Sequence, residues 1–323
     1  MSKRIMSQKA ERMKRNSASK GTLAQTAKRM KRCWQLYIFL LPAVVYVLLF
    51  AYKPMYGILI AFKDFSIRDG IWGSTWVGFA NFERLFRSYW FPIILKNTLT
   101  LSGLSLILGF PMPILFALLL NEVRSKKFRN TVQTVSYAPH FISTVVICSM
   151  IQLFLSPSSG IVNRLIQMLG MEPVYFMQEA SLFKWVYVLS GIWQSLGWSS
   201  IIYFAALSGV DKSLLEAADM DGATRLQKII HVNIPVLVPT MVVMLILKCG
   251  SLLGVGYEKV FLLQTDTNIT ASEVISTYVY KVGLVQSDFS FSTAASLFNS
   301  VVNAIILIVV NTISKKVSDN ALW

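Results

Sequence analysis

Few residues of this chain have the types or spacing that catalysis needs. The two histidines, His140 and His231, and the three cysteines, Cys33, Cys148 and Cys249, are too scattered for a metal site or a disulfide framework. No Gly-x4-Gly-Lys-Ser/Thr run is present to cradle nucleotide phosphates, and no His-Glu-x-x-His. The expectation is a chain with no catalytic residue, no metal and no cofactor of its own. One polar stretch does carry a pattern. Residues 209–233 read GVDKSLLEAADMDGATRLQKIIHVN and run on into Ile234, Pro235 and Pro239. Ser213 and Glu216 have the spacing of a capping box, which predicts a short helix from Ser213. Gly222 supplies a bend that a side chain would resist. A second short helix, Thr224 to His231, should follow and end before Pro235, which can open the next helix. Leu214, Leu215, Ala218, Leu226, Ile229 and Ile230 give the pair an apolar side. Its charges balance: Lys212, Arg225 and Lys228 against Asp211, Glu216, Asp219 and Asp221. A loop this long with an apolar side of its own suits docking to a partner better than mere connection.

The elements that must position this loop are apolar. Of the 323 residues 54% are hydrophobic and 15% charged, with a mean hydropathy of +0.54. A soluble domain carries roughly 25% charged residues, so disorder and an ordinary soluble enzyme are both excluded. Six stretches approach the roughly 20 residues that cross a bilayer. They are 34–52, 91–120, 132–155, 183–210, 234–256 and 293–313. Met55 to Phe62 is too short to cross and is expected at the interface or leading back over the bundle. The runs are continuous rather than alternating, which argues against a β-barrel. The expected fold class is all-α, a polytopic membrane protein with six transmembrane helices.

The net charge of +15 is unevenly placed. Eleven of the 31 Lys and Arg lie in residues 1–33, beside the single acid Glu11. Arg124, Lys126, Lys127 and Arg129 cluster in one loop, and Lys315 and Lys316 in the tail, whereas residues 156–182 hold Arg164 alone. The positive-inside rule then puts both termini in the cytoplasm. This gives a basic cytoplasmic tail (1–33), a six-span domain (34–313) that contains the cytoplasmic loop 209–235, and a short cytoplasmic tail (314–323). The basic tail fixes orientation and could also lie against anionic lipid; nucleic acid is not implied. The first apolar run is too long, and its basic leader too extended, for a cleaved signal peptide.

Polar groups within spans are expensive and so mark candidate pathway residues. The fourth span carries Trp193, Gln194, Ser195, Trp198 and Tyr203. The end of the fifth carries Lys248, Tyr257, Glu258 and Lys259. The sixth carries Ser296, Asn299 and Asn303. Aromatic faces and amides suit a sugar, whose ring has apolar faces and hydroxyl edges. The tryptophans could equally pack helices or form an interfacial belt, the asparagines could bond between helices, and Glu258 and Lys259 could sit at the interface with the lysine snorkelling.

EAADMDGA followed by IPVLVP resembles the EAA loop of permease subunits of binding-protein-dependent ABC importers. Glu216, Ala217, Ala218, Asp221, Gly222, Ala223, Ile234, Pro235 and Pro239 carry the match; Ile234 stands where the family usually has Leu. YKPMYGILIAFKDF, WVGFANF, ALLLNEVRSKKFRNTVQTVSYAPHFIS and GVGYEKVFLLQ extend the resemblance to the carbohydrate-type, polysaccharide- and lipoprotein-linked branch, with maltose-type permeases more distant. The resemblance implies a type I importer permease fold, a transport subunit rather than an enzyme, and a bacterial cell membrane. It implies a second, non-identical permease, two ATP-binding subunits that hold the ATP and Mg2+, and an extracellular solute-binding protein, typically a lipoprotein. In that family the loop residues Glu216, Ala217, Ala218, Asp221, Gly222, Ala223 and Pro235 would couple to the ATPase. The cargo would be an oligosaccharide or polysaccharide fragment; a polyol, glycerophosphodiester or peptide-like solute is the alternative. A self-contained carrier of the kind built from internal repeats is disfavoured, because the halves show no repeat and such a carrier needs no EAA loop.

Overall fold

The computed structural model describes residues 32–317. The basic tail up to residue 31 and the last six residues of the C-terminal tail lie outside the described residues. The described residues divide into two compact units, one ending at residue 58 and one starting at residue 59.

In the first unit, helix α1 (Trp34–Val47) buries none of its residues. It is apolar all round, as a helix solvated by lipid must be. A π-helical turn, Leu48–Tyr52, and a 3-10 stretch, Lys53–Phe62, continue it. Pro54 has no N–H to complete the α-helical ladder, which accounts for the change of helix type. Met55–Phe62 therefore prolongs the first helix, in one apolar stretch from Trp34 to Phe62, and is not a separate segment at the interface.

The second unit, which begins inside that 3-10 stretch, next forms a small hairpin that the sequence patterns did not announce. Strands β1 (Lys63–Asp64) and β2 (Thr75–Trp76) pair antiparallel, Lys63 opposite Trp76. The Lys63 ammonium donates to the carbonyls of Ile71 and Ser74, and the Asn81 amide donates to those of Ala61 and Lys63, so this compact knot satisfies its own polar groups. Apart from these four residues the regular structure among the described residues is helical. Helix α2 (Ala80–Arg87) leads into α3 (Trp90–Gly109) and α4 (Pro111–Asn121), which together form one long apolar helix.

The third expected span is not one rod. Helix α5 (Lys126–Tyr137), capped by Ser125, passes through a 3-10 turn, Ala138–Phe141, into α6 (Thr144–Phe154), capped by Ser143, and the two are bent by 101°. Pro139 and the extended backbone at Ile142 and Ser143 break the ladder there. After α7 (Ile161–Met168), the connection back is tied by the buried Asn163, whose amide bonds the backbone of Leu155, Ser156 and Val174. Helix α8 (Ala180–Leu207) is central, packing against α3, α4 and α5. Gly197 permits the α5 contact: a Cβ there would stand 2.3 Å from the Ser136 carbonyl oxygen.

Helix α9 (Lys212–Met220) and a single turn, Arg225–Lys228, form the loop element. Helix α10 (Ile234–Gly250) follows and also packs on α8. It stops at Gly250, six residues short of the expected end, and 251–256 has no regular structure. Helices α11 (Tyr257–Leu263) and α12 (Ile275–Tyr280) then lead to α13 (Phe289–Val317). Among the described residues four helices are long and apolar enough to cross a membrane, or five if the bent α5–α6 pair is one span. Helix α8 is long enough, at 28 residues, but polar side chains interrupt it. One buried apolar cluster (Leu101, Cys148, Phe183, Val260 and neighbours) and another (Ile114, Leu118, Tyr203, Leu207, Leu237) pin α8 at its two ends.

Candidate functional site

The loop element is built from local backbone chemistry. Asp211, not Ser213, caps α9: its carboxylate accepts the Ser213 N–H at 2.9 Å. The backbone N–H and hydroxyl of Ser213 hold that carboxyl below its ordinary range. A carboxylate at a helix start also meets the positive end of the helix dipole, which favours Asp211 over Ser213. Glu216 thus has no capping duty and stands exposed on α9 beside Ala217. The helix ends in a Schellman motif, with Ala223 N–H to Ala218 carbonyl (2.9 Å) and Gly222 N–H to Asp219 carbonyl (3.1 Å). Gly222 takes φ +72° there, and a Cβ on it would meet nothing within 4 Å. Backbone conformation, not crowding within this chain, calls for the glycine.

The expected capping box exists, but one helix later. Thr224 and Gln227 exchange bonds of 2.7 and 3.4 Å at the start of the Arg225–Lys228 turn. Lys228 reaches back to Asp219 at 2.6 Å and ties the two helical pieces together. The second piece does not stop before Pro235. It widens into a π-helical turn, Ile229–Asn233, and continues straight into α10, giving one helix from Arg225 to Gly250. The wide turn accommodates a proline ring that would otherwise strike the His231 carbonyl. Asn233 lies in that turn, 1% exposed, and both polar atoms of its side chain lack a partner. On the surface of the element Met220 and Leu226 are exposed, at 88% and 65%, with Glu216, Ala217 and Asp221 around them. Ala223 is half-buried and Pro235 exposed.

The expected pathway residues divide. Trp198, Tyr203 and Lys248 come together with Gly109, Phe110 and Met244 around a cavity of about 590 Å³. Lys248 also lines a second cavity of about 240 Å³ with Ser102, Ser105, Tyr187 and Ser251. No carboxylate lies within ion-pair distance of Lys248 among the described residues. Ser102 is buried with an unpaired hydroxyl. Trp193 and Gln194 line neither cavity. Tyr257 packs on Phe261 and Tyr280, and Glu258 is exposed. Asn303 accepts the Leu253 N–H at 2.9 Å and so ties the irregular 251–256 segment to α13; the side-chain amide oxygen of Asn299 is buried without a partner. Lys259 does not snorkel. It donates to the Tyr187 carbonyl at 3.2 Å and lies over that ring.

Sequence reasoning gave His140 and Phe141 no part. His140 stacks on Trp198 at 4.6 Å and 6°, and Phe141 meets the same indole edge-on. The usable signal was Pro139, a helix breaker inside an apolar run. Phe141 and Trp198 are nevertheless exposed in this chain, at 73% and 46%.

Residues 109–319 match the family described as binding-protein-dependent transport system inner membrane component. The chain belongs to that family. It is a multi-pass permease component, and its relatives are transport permeases rather than enzymes. It is 45% identical to the polygalacturonan/rhamnogalacturonan transport system permease protein YteP of Bacillus subtilis (strain 168), over 89% of this chain and 90% of that one. It is 41% identical to protein LplB of the same organism, over 91% and 92%. Among solved structures, a chain of a bacterial ABC transporter involved in the import of the acidic polysaccharide alginate superimposes with a TM-score of 0.85 at 44% identity, covering 91% of this permease and 99% of that chain. The same likeness holds for that transporter in complex with an alginate pentasaccharide-bound periplasmic protein, at 43% identity. The type I importer permease fold expected from the sequence is thus present.

Proposed function

We propose that this permease imports an oligosaccharide that carries carboxylates. Lys248 carries the reading. It is a cation on an apolar helix, it has no acid beside it among the described residues, and it lines both cavities. A charge is kept in such a place at considerable expense, so an anionic cargo is its natural partner. Trp198 lines the larger cavity, with His140 stacked on one face and Phe141 against its edge, and offers aromatic surface to a sugar ring. Relatives whose names refer to polygalacturonan, rhamnogalacturonan and alginate support the same class.

In this reading α8 and the bent α5–α6 pair complete six spans, with both termini in the cytoplasm. The chain forms half of the pathway, and a second, non-identical permease forms the rest. An external solute-binding protein delivers the cargo. Two ATP-binding subunits hold ATP and Mg2+, and one of them receives the exposed surface of α9: Glu216 as a charged contact, Ala217, Ala218 and Ala223 as close packing, Asp221 and Gly222 as the bend, and Pro235 as the joint to α10. The test is import of a labelled oligouronide and of a neutral oligosaccharide by the reconstituted transporter. Lys248→Gln should slow the acidic cargo by about tenfold or more, the scale of a lost charge-assisted hydrogen bond, and leave the neutral one unchanged. Lys248→Arg should keep most of the rate. Wild-type uptake of the oligouronide by Lys248→Gln refutes the assignment.

A further inference from the structure

A third cavity, of about 480 Å³, opens where α3 and α8 begin. Tyr89, Lys96, Asn97, Ser181, Lys184 and Thr270 form its polar wall, and Ile93 and Leu101 its apolar one. The Asn97 amide is already engaged, donating to the Thr270 and Glu273 carbonyls at 2.9 Å each. The two lysines are not engaged. Glu179, which takes the Ser181 hydroxyl, and every other described carboxylate lie beyond ion-pair distance of both. The groove thus brings two positive charges to one mouth, with no described carboxylate within ion-pair distance of either.

Its position separates it from the cargo cavities. Lys96 and Ser105 are nine residues apart on α3, about two and a half turns, and therefore lie on opposite faces of that helix. Ser105 faces the cavity that Lys248 lines, so Lys96 faces away from it. Both lysines lie near helix starts, where a headgroup region would fall. Lys96 is six residues from the first residue of α3 and Lys184 four from that of α8, about 9 and 6 Å along the axes. Exposed Tyr89 stands just before the first residue of α3 and exposed Trp185 next to Lys184, at helix starts where interfacial aromatics are enriched. A polar, doubly cationic mouth above an apolar wall matches a phospholipid rather than a free anion.

We infer that this groove holds the headgroup phosphate of an anionic phospholipid, paired with Lys96 and Lys184, from the leaflet at that end of the helices. The test is native mass spectrometry of the full-length chain, purified in mild detergent with its accompanying subunits from membranes containing phosphatidylglycerol. The wild type should retain phosphatidylglycerol that Lys96→Gln/Lys184→Gln loses, by about fivefold for each lysine removed. Lys96→Arg/Lys184→Arg should retain it, and serves as the variant to read if the double glutamine chain does not accumulate. Equal retention by wild type and the glutamine variant overturns the proposal. So does equal release of the lipid by millimolar glycerol phosphate, which would mark a site for soluble anions. Cross-linking of Ser181→Cys to another subunit, with no lipid retained, would make the groove a subunit interface and also overturn it.

Discussion

The loop element around α9 and the cavity region around α8 treat their polar groups in opposite ways. In the loop nearly everything is paired locally: Asp211 with Ser213, Thr224 with Gln227, Asp219 with Lys228, and the helix end with Gly222 and Ala223. Its outer surface nevertheless shows Met220 and Leu226 to solvent. Around the cavities the reverse holds. No described carboxylate lies within ion-pair distance of Lys248, Ser102 on the smaller cavity keeps an unpaired buried hydroxyl, and Asn233 sits unpaired where the two regions join. The loop is a finished part with an unfinished surface, as suits a rigid body that another subunit grips. The cavity region has capacity left over, as suits a surface completed by cargo or by another conformation.

Substitutions can break that contrast. The largest effect is expected at the wall of the cavity region, at Gly197. A Cβ there, fixed by its own backbone, meets the Ser136 backbone carbonyl oxygen at 2.3 Å, so no flexible side chain can yield. Gly197→Ala should destabilise by about 3 kcal/mol, at the upper end for overpacking, and accumulate poorly in membranes. Near-normal thermal stability in detergent would show that α5 and α8 can part, and that the bent span is loosely held.

Gly222→Leu is next. The φ of +72° costs a branched residue about 1–2 kcal/mol, all of it within the loop. Nothing in this chain crowds the position, so insertion and span packing should survive. Retention of the ATPase subunits and cargo import should both fall, by roughly tenfold if that strain is borne in docking. Undiminished retention would mean that the loop is only a connector.

Asn233→Leu should work in the opposite direction on stability. Removing an unpaired buried amide in favour of an isosteric apolar group stabilises by about 1–2 kcal/mol. If the amide finds its partner in another state of the transport cycle, import falls while the melting temperature rises. A drop in melting temperature instead would show that the amide is already satisfied.

The two regions also differ in how much of them could be read from residues alone. The Schellman end was legible at Gly222, because few other residues tolerate that φ. The cap was misplaced by two residues, since Ser213 and Asp211 are both good caps and only backbone geometry chooses between them. Apolar runs located the long helices, because burial in lipid needs no particular partner. They could not show the 101° bend, although Pro139 marked its place, nor that Pro235 would be absorbed by a π turn instead of ending a helix. Of the pathway residues, Trp198, Tyr203 and Lys248 share a cavity while Trp193, Gln194, Tyr257 and Glu258 do not line it. Helical position alone does not say which face of α8 meets α3 and which meets open space.

The smallest expected effect separates cap from contact at the start of α9. Asp211→Ala removes the carboxylate that accepts the Ser213 N–H, so the first turn should fray and its amides exchange faster. Ser213→Ala should leave the cap in place, and Glu216→Ala should leave exchange in α9 unchanged, because Glu216 accepts no capping bond. The Asp211 carboxyl is held low by its bonds in the folded helix. Its contribution is therefore complete above the ordinary carboxylate range, near pH 4. It disappears as pH falls through the lowered value, and protection of the α9 amides relative to their intrinsic exchange rates should fall below about pH 4 in the wild type but show no such step in Asp211→Ala. Glu216→Ala with intact exchange and weakened ATPase retention would then isolate the contact from the cap. If both variants instead loosen the helix equally, α9 is less self-sufficient than its bonds indicate, and the contrast with the cavity region narrows.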